Sequence, residues 1–280
     1  MKLKKILLLC LTASPFTFFT ACTGGQPADQ DNYLSPITDS RDSLTSSASS
    51  AGTKESSPAP AENDDDSENT AEMMKAYRKA LETLINNHIF PDGTDCGYDE
   101  SYDISENTFS IYDVDGDGKE ELLIMYGNTF SAAMTGYVLG YDDESGSLKT
   151  ELKAYPMLTF YDNGTAKGEW SHNQGLAGDF WPYDLYQYNS ASDTYELAAM
   201  VDAWDKNLAA ADSSSNPFPD DIDKSQTGFV YYIMTDGQYD TTHPVDAADY
   251  NAWLASYNAG ASECQIEYQK LTQDNISMLK

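Results

Sequence analysis

The sequence predicts an α+β domain, mostly antiparallel sheet, with one helix near each end of the folded part. Three observations lead there. Between about 108 and 235 the chain is a succession of short β-branched and aromatic runs cut by Gly, Asn, Asp and Ser, the pattern of hairpin-linked strands. Two stretches, around 73–85 and 250–257, instead repeat apolar residues at helical spacing. Finally, 23–69 holds a single aromatic, Tyr33, amid Ser, Thr, Asp, Pro, Ala and Gly, and cannot bury enough apolar surface to offset the entropy of ordering.

The first residues read as an export signal. Lys2, Lys4 and Lys5 precede an apolar run that continues through Phe16, Phe18 and Phe19. The run is short and broken by Pro15, which argues against a spanning helix. It closes on Phe19-Thr20-Ala21-Cys22, which resembles the lipobox of bacterial lipoproteins with Phe in place of the usual Leu. That resemblance implies lipidation of Cys22 and a membrane partner reached through the N-terminal anchor, in place of simple cleavage. Residues 1–22 are thus assigned to the leader and lipidation site, 23–69 to an acidic tether and 70–280 to one folded domain. As a coil the tether spans roughly 40 Å, taking about 5–6 Å times the square root of its length.

Structure is expected to begin near Thr70, with Asn69 as a helix cap and Glu72 reaching back in a capping box. Met73, Met74, Tyr77, Leu81, Leu84 and Ile85 form the apolar stripe, ended by Asn86-Asn87-His88. Strands follow at 109–112, 122–126, 135–141, 148–152, 157–161, 166–171, 184–188, 195–201 and 228–235. Asp162-Asn163-Gly164 is a strong hairpin turn, because Asn and Gly accept positive φ. The hairpin 138–148 aligns with 185–195 at an offset of 47 residues, a hint of a repeated unit. A polar, Pro-containing excursion covers 203–225. Val245-Asp246 opens a helix carrying Tyr250, Trp253, Leu254 and Tyr257, ended by Gly260, and 264–271 is read as the last strand.

The most specific stretch lies between the first two strands. Asp113, Asp115, Asp117 and Glu121 occupy relative positions 1, 3, 5 and 9, with Gly118 at 6. Calcium takes six to eight oxygen ligands at roughly 2.3–2.6 Å, and alternate carboxylates on a tight loop supply them. The carbonyl of Lys119 would add another, and Glu121 would close the ring. An EF-hand needs Glu at position 12 between two helices, whereas Ile124 stands there between strands. Asp113 to Leu122 resembles the calcium loop of FG-GAP/VCBS repeats, the integrin-propeller type, with Glu121 where that family usually has Asp. The resemblance covers one hairpin, so it implies a calcium ion but not a complete propeller. A bare acidic turn is the alternative, and the spacing favours calcium. The pattern as a whole looks like that of bacterial surface lipoproteins carrying one such hairpin.

The formal charge is −30, and removal of Lys2, Lys4 and Lys5 with the leader brings it to about −33. Such a field repels nucleic acid and anionic lipid head groups and concentrates cations, so nucleic-acid binding is excluded. Cys10 leaves with the leader; Cys96 and Cys264 remain as a disulfide or as two buried thiols, alternatives the sequence leaves open. His88, His172 and His243 show no metal spacing, and no nucleophile elbow or phosphate-binding glycine loop occurs.

Outside the acidic loop, 169–183 collects Trp170, His172, Asn173, Trp181 and Tyr183 among glycines. Rings beside amide groups suit sugar or peptide recognition, although tryptophans more often anchor such a loop to the core. The resulting expectation is a calcium-binding protein lipid-anchored to the outer face of a bacterial membrane. Its domain is read as a non-enzymatic binding or adhesion module for a glycan, peptide or envelope component. The alternative is a secreted hydrolase acting on cell-wall or dietary polysaccharide.

Overall fold

The computed structural model describes residues 64–173 and 175–279. The leader, Cys22 and the tether up to residue 63 lie outside the described residues. No helix among the described residues is long and apolar enough to cross a membrane.

Helix α1 (Asp64–Asn87) begins earlier than the capping box predicts, within the acidic run assigned to the tether. Asn69 is therefore inside the helix and not its cap, and the Glu72 carboxylate pairs with Lys75 at 3.2 Å. Acidic residues are favoured in a first helical turn, which moves the start upstream. The apolar stripe is core as expected: Tyr77, Leu81 and Leu84 are fully buried, and Met74 and Ile85 pack on the same cluster. The helix stops at His88, whose φ of 61° leaves the helical region.

Two antiparallel sheets follow. The first has the order β11-β1-β2-β3-β4, built from β1 (Thr108–Tyr112), β2 (Glu121–Tyr126), β3 (Thr135–Asp142), β4 (Ser147–Ala154) and β11 (Gln269–Lys270). The second has the order β10-β9-β8-β7-β6-β5. Its strands are β5 (Leu158–Phe160), β6 (Thr165–Glu169), β7 (Tyr183–Asn189), β8 (Thr194–Asp205), β9 (Phe229–Met234) and β10 (Pro244–Asp246). The architecture is the expected α+β class, with no closed barrel or propeller among the described residues.

Burial explains why β2 is apolar from Leu122 onward instead of alternating. Leu122 and Ile124 pack with α1 on one face, while Leu123 joins Val138, Phe160 and Tyr195 on the other. The first sheet is thus covered on both sides, the condition that makes a strand read as a continuous apolar run. Helix α2 (Ala247–Asn258) covers the second sheet through Tyr250, stacked on Tyr231 at 4.0 Å, together with Leu185 and Val201.

The repeat hinted at in the sequence has a structural counterpart. Hairpins β3–β4 and β7–β8 each carry a register shift, between Val138 and Leu139 and between Leu185 and Tyr186, at matching positions. Both turns put a left-handed residue at the same place, Gly146 at φ 65° and Asp193 at φ 51°. Both close with an amide donating to the first turn carbonyl at 2.8 Å, Gly146 to Asp142 and Asp193 to Asn189. Each hairpin ends a four-stranded meander, β1–β4 or β5–β8.

Two further expectations need correction. The stretch 264–271 is not a strand: Glu263 bridges Tyr161 at the edge of the second sheet, and only Gln269 and Lys270 pair with β1. The segment divides its hydrogen bonds between two sheets, so neither ladder extends. The excursion after β8 is not simply surface, because Phe218 is buried edge-on against Trp204 at 5.5 Å. Strand β10 and helix α3 (Gln273–Ser277) were not foreseen, both being too short to show a period.

Candidate metal centre

The β1–β2 turn is held at both ends by tyrosines from other elements. Tyr77 of α1 donates to the Glu120 carbonyl at 2.7 Å, and Tyr195 of β8 donates to the Val114 carbonyl at 3.0 Å. The Val114 side chain is buried among residues from both sheets. Within the turn, Gly116 and Gly118 take φ of 79° and 93°, which folds the chain over its own carboxylates. Gly116 and Gly118 donate their amides to Asp113 at 2.7 and 3.1 Å, and Val114 donates to Glu121 Oε2 at 2.9 Å.

Asp113, Asp115 and Glu121 are brought together, with one carboxylate oxygen from each within 4.8 Å of the others. A second such group joins Asp115 to Glu151 of β4 and Asp193 of the β7–β8 turn. These acidic groups can hold a metal ion. The donors are all carboxylate oxygen, the set preferred by hard cations such as calcium and magnesium. Asp115 Oδ2 and Glu151 Oε2 are buried without a hydrogen-bond partner, the condition in which a carboxylate most needs a cation or a proton. Burial pushes the Glu121 carboxyl up to about 9 and the Glu151 carboxyl up to about 8, and raises Asp115 as well. Neighbouring carboxylates add to each shift. Protons therefore relieve the mutual repulsion of this cluster, and a divalent cation would displace them.

Comparison with known proteins finds no matching family model, no matching curated protein and no matching solved structure.

One predicted carboxylate ligand stands apart from the group. Asp117 is exposed and accepts the Lys119 amide at 2.7 Å, outside both groups of converging carboxylates. Lys119, expected to ligate through its carbonyl and not its side chain, pairs its ammonium with Asp143 at 2.5 Å. Conversely, sequence reasoning missed Glu151 and Asp193. Glu151 sits inside a strand and Asp193 reads as a turn residue, so neither carries a local signal; the first sheet itself carries Glu151 to the loop, and only the meeting of the two meanders brings Asp193.

The tryptophan loop divides between two depressions. Trp170 donates to Asp184 at 2.7 Å and packs on Trp204 and its neighbours, which is the core-anchoring alternative. His172 is exposed beside the Ser171 hydroxyl, and Asn173 accepts the Gly175 amide at 3.0 Å within its own turn. Tyr183 is buried, its hydroxyl 2.9 Å from that of Tyr250. Trp181 is 41 % exposed, its ring fixed by a bond from Nε1 to the Trp170 carbonyl at 2.6 Å. It edges an open cleft of about 410 Å³ together with Tyr183, Lys167, Glu169, Phe180 and Tyr250, while Trp170 and His172 line a separate depression. The five residues thus do not form one site.

Cys96 and Cys264 are free thiols, which corrects the disulfide alternative. Cys96 is buried under α1 with its sulfur 3.3 Å from the Tyr126 hydroxyl, whereas Cys264 packs between the sheets. Each belongs to a different hydrophobic cluster, on opposite faces of the first sheet.

Proposed function

We propose that this protein is a lipid-anchored, calcium-binding extracellular module whose ion locks the β1–β2 hairpin. The observation that carries the reading is the convergence of Asp113, Asp115 and Glu121 on a turn pinned by Tyr77 and Tyr195, with a buried Asp115 oxygen left unpartnered. The Asp113–Leu122 spacing supports calcium as the ion, and Phe19-Thr20-Ala21-Cys22 supports the anchor. In the proposed role as a binding module, the cleft beside Trp181 takes a sugar ring or a peptide side chain, because a fixed, half-exposed indole next to Lys167 and Glu169 offers stacking and polar contacts together.

The cation reading is tested by calorimetric titration of chelator-treated protein with calcium and with magnesium. Calcium is expected to bind at least tenfold more tightly than magnesium, since calcium accepts an irregular set of oxygen ligands whereas magnesium demands near-ideal octahedral geometry and sheds its waters reluctantly. Equal affinities would remove calcium as the assigned ion, and no heat with either would remove the site.

A further inference from the structure

We propose that Asp115, Glu151 and Asp193 form a second divalent-cation site, with Asp115 shared as the bridging carboxylate and the ion joining the two meanders. This rests on the loop reading only in sharing Asp115; its other ligands come from β4 and from the β7–β8 turn.

Geometry favours it first. Oxygens from all three residues lie within 4.8 Å of one another, as ligand atoms around one ion do when each sits roughly 2.3–2.6 Å from it. Glu151 is 5 % exposed, and its Oε2 has no hydrogen-bond partner although the carboxylate faces two others. A buried carboxylate placed against like charges needs a ligand of opposite sign.

The neighbouring strand is shaped to keep Glu151 there. A Cβ on Gly140 of β3 would lie 1.9 Å from Glu151 Oε1, so only glycine leaves room for the carboxylate at that point. Any larger residue would force the carboxylate to shift.

Charge balance points the same way. Asp113, Asp115, Glu121, Glu151 and Asp193 bring five carboxylates together, and the ammonium nearest to them is Lys149, 3.2 Å from Asp193. With that lysine counted, one divalent ion leaves two negative charges uncompensated, whereas two ions bring the cluster to neutrality. The Tyr188 hydroxyl, which donates to Asp193 at 2.8 Å, orients that carboxylate without adding charge.

The experiment is a direct count of bound calcium on the metal-stripped full chain by equilibrium dialysis, with circular dichroism as the control for folding. The unaltered chain is expected to hold two ions. Glu151→Gln, which keeps shape and removes charge, is expected to hold one, and so is Asp193→Asn, which changes a half-buried turn position and guards against misfolding of the first variant. One ion on the unaltered chain, retained in both variants, would overturn the second site and leave the loop site standing. One ion lost in Glu151→Gln would overturn it in favour of a single ion shared by the whole cluster. No bound ion on the unaltered chain would overturn the loop reading and this one together.

Discussion

Asp92 gathers four hydrogen bonds on one carboxylate: from the Thr94 amide at 2.9 Å, the Thr94 hydroxyl at 2.6 Å, the Tyr137 hydroxyl at 2.8 Å and the Lys153 ammonium at 2.8 Å. Burial works against its charge, but these donors outweigh it and hold the carboxyl well below the ordinary Asp value of 3.8. A group more acidic in the folded than in the unfolded chain contributes stability that is present above the unfolded value and lost as pH falls through the folded one. Asp92→Asn is therefore expected to lower stability at pH 7 by about 1–2 kcal/mol. The difference from the unaltered protein should shrink as pH falls below about 4, as measured by urea unfolding at several pH values. At this scale the sequence was informative where residues act locally. The grouping of Asp113, Asp115 and Glu121 was legible from their spacing alone. The approach of Glu151 and Asp193 was not, because it brings together chain segments that meet only in the folded state, and Asp117 occupies a regular position in the pattern yet is exposed and outside both groups.

The β1–β2 hairpin depends on elements far from it in sequence. Tyr195 lies on β8, and its hydroxyl supplies the hydrogen bond to a buried carbonyl inside the acidic turn. Tyr195→Phe keeps the ring and leaves the Val114 carbonyl unsatisfied, at an expected cost of about 1–3 kcal/mol. Because that bond also fixes the turn, calcium affinity should fall with it, measured on the same variant by calorimetry. Unchanged stability and affinity would mean that the turn is organised from within. Strands were legible wherever Asn, Gly or Asp marked their ends, as at Asp162-Asn163-Gly164, which closes β5 onto β6 as a hairpin. The start of α1 was misread because a capping signal at Asn69 competes with acidic residues upstream that also suit a helix start. The last strand was misread because extended backbone between two sheet edges has the same composition as a paired strand.

At the scale of the whole molecule, two four-stranded meanders face each other across Leu123, Val138, Phe160 and Tyr195, and the acidic cluster lies where they meet. The apolar layer and the cluster answer to different conditions. The first is fixed by burial, whereas the second has cost attached to it until protons or cations offset its charge, in a chain whose formal charge is already −30. The α+β class could be read from the periods of the sequence, and the matched bulges of the two hairpins give the offset of 47 a physical basis. The meeting of the meanders could not be read, since no local pattern records which strand faces which.

The most direct measurement is thermal unfolding of the full chain, stripped of metal and then saturated with calcium, beside an Asp113→Asn, Glu121→Gln double variant. Calcium at a hundredfold excess over its dissociation constant adds about 2.7 kcal/mol, which for a domain of this size raises the midpoint by roughly 5–10 °C. That rise is expected in the unaltered chain and should be clearly smaller in the double variant, which keeps only the Asp115, Glu151 and Asp193 group. Identical midpoints with and without calcium would contradict the cluster's role as a metal centre and leave the acidic turn as a turn.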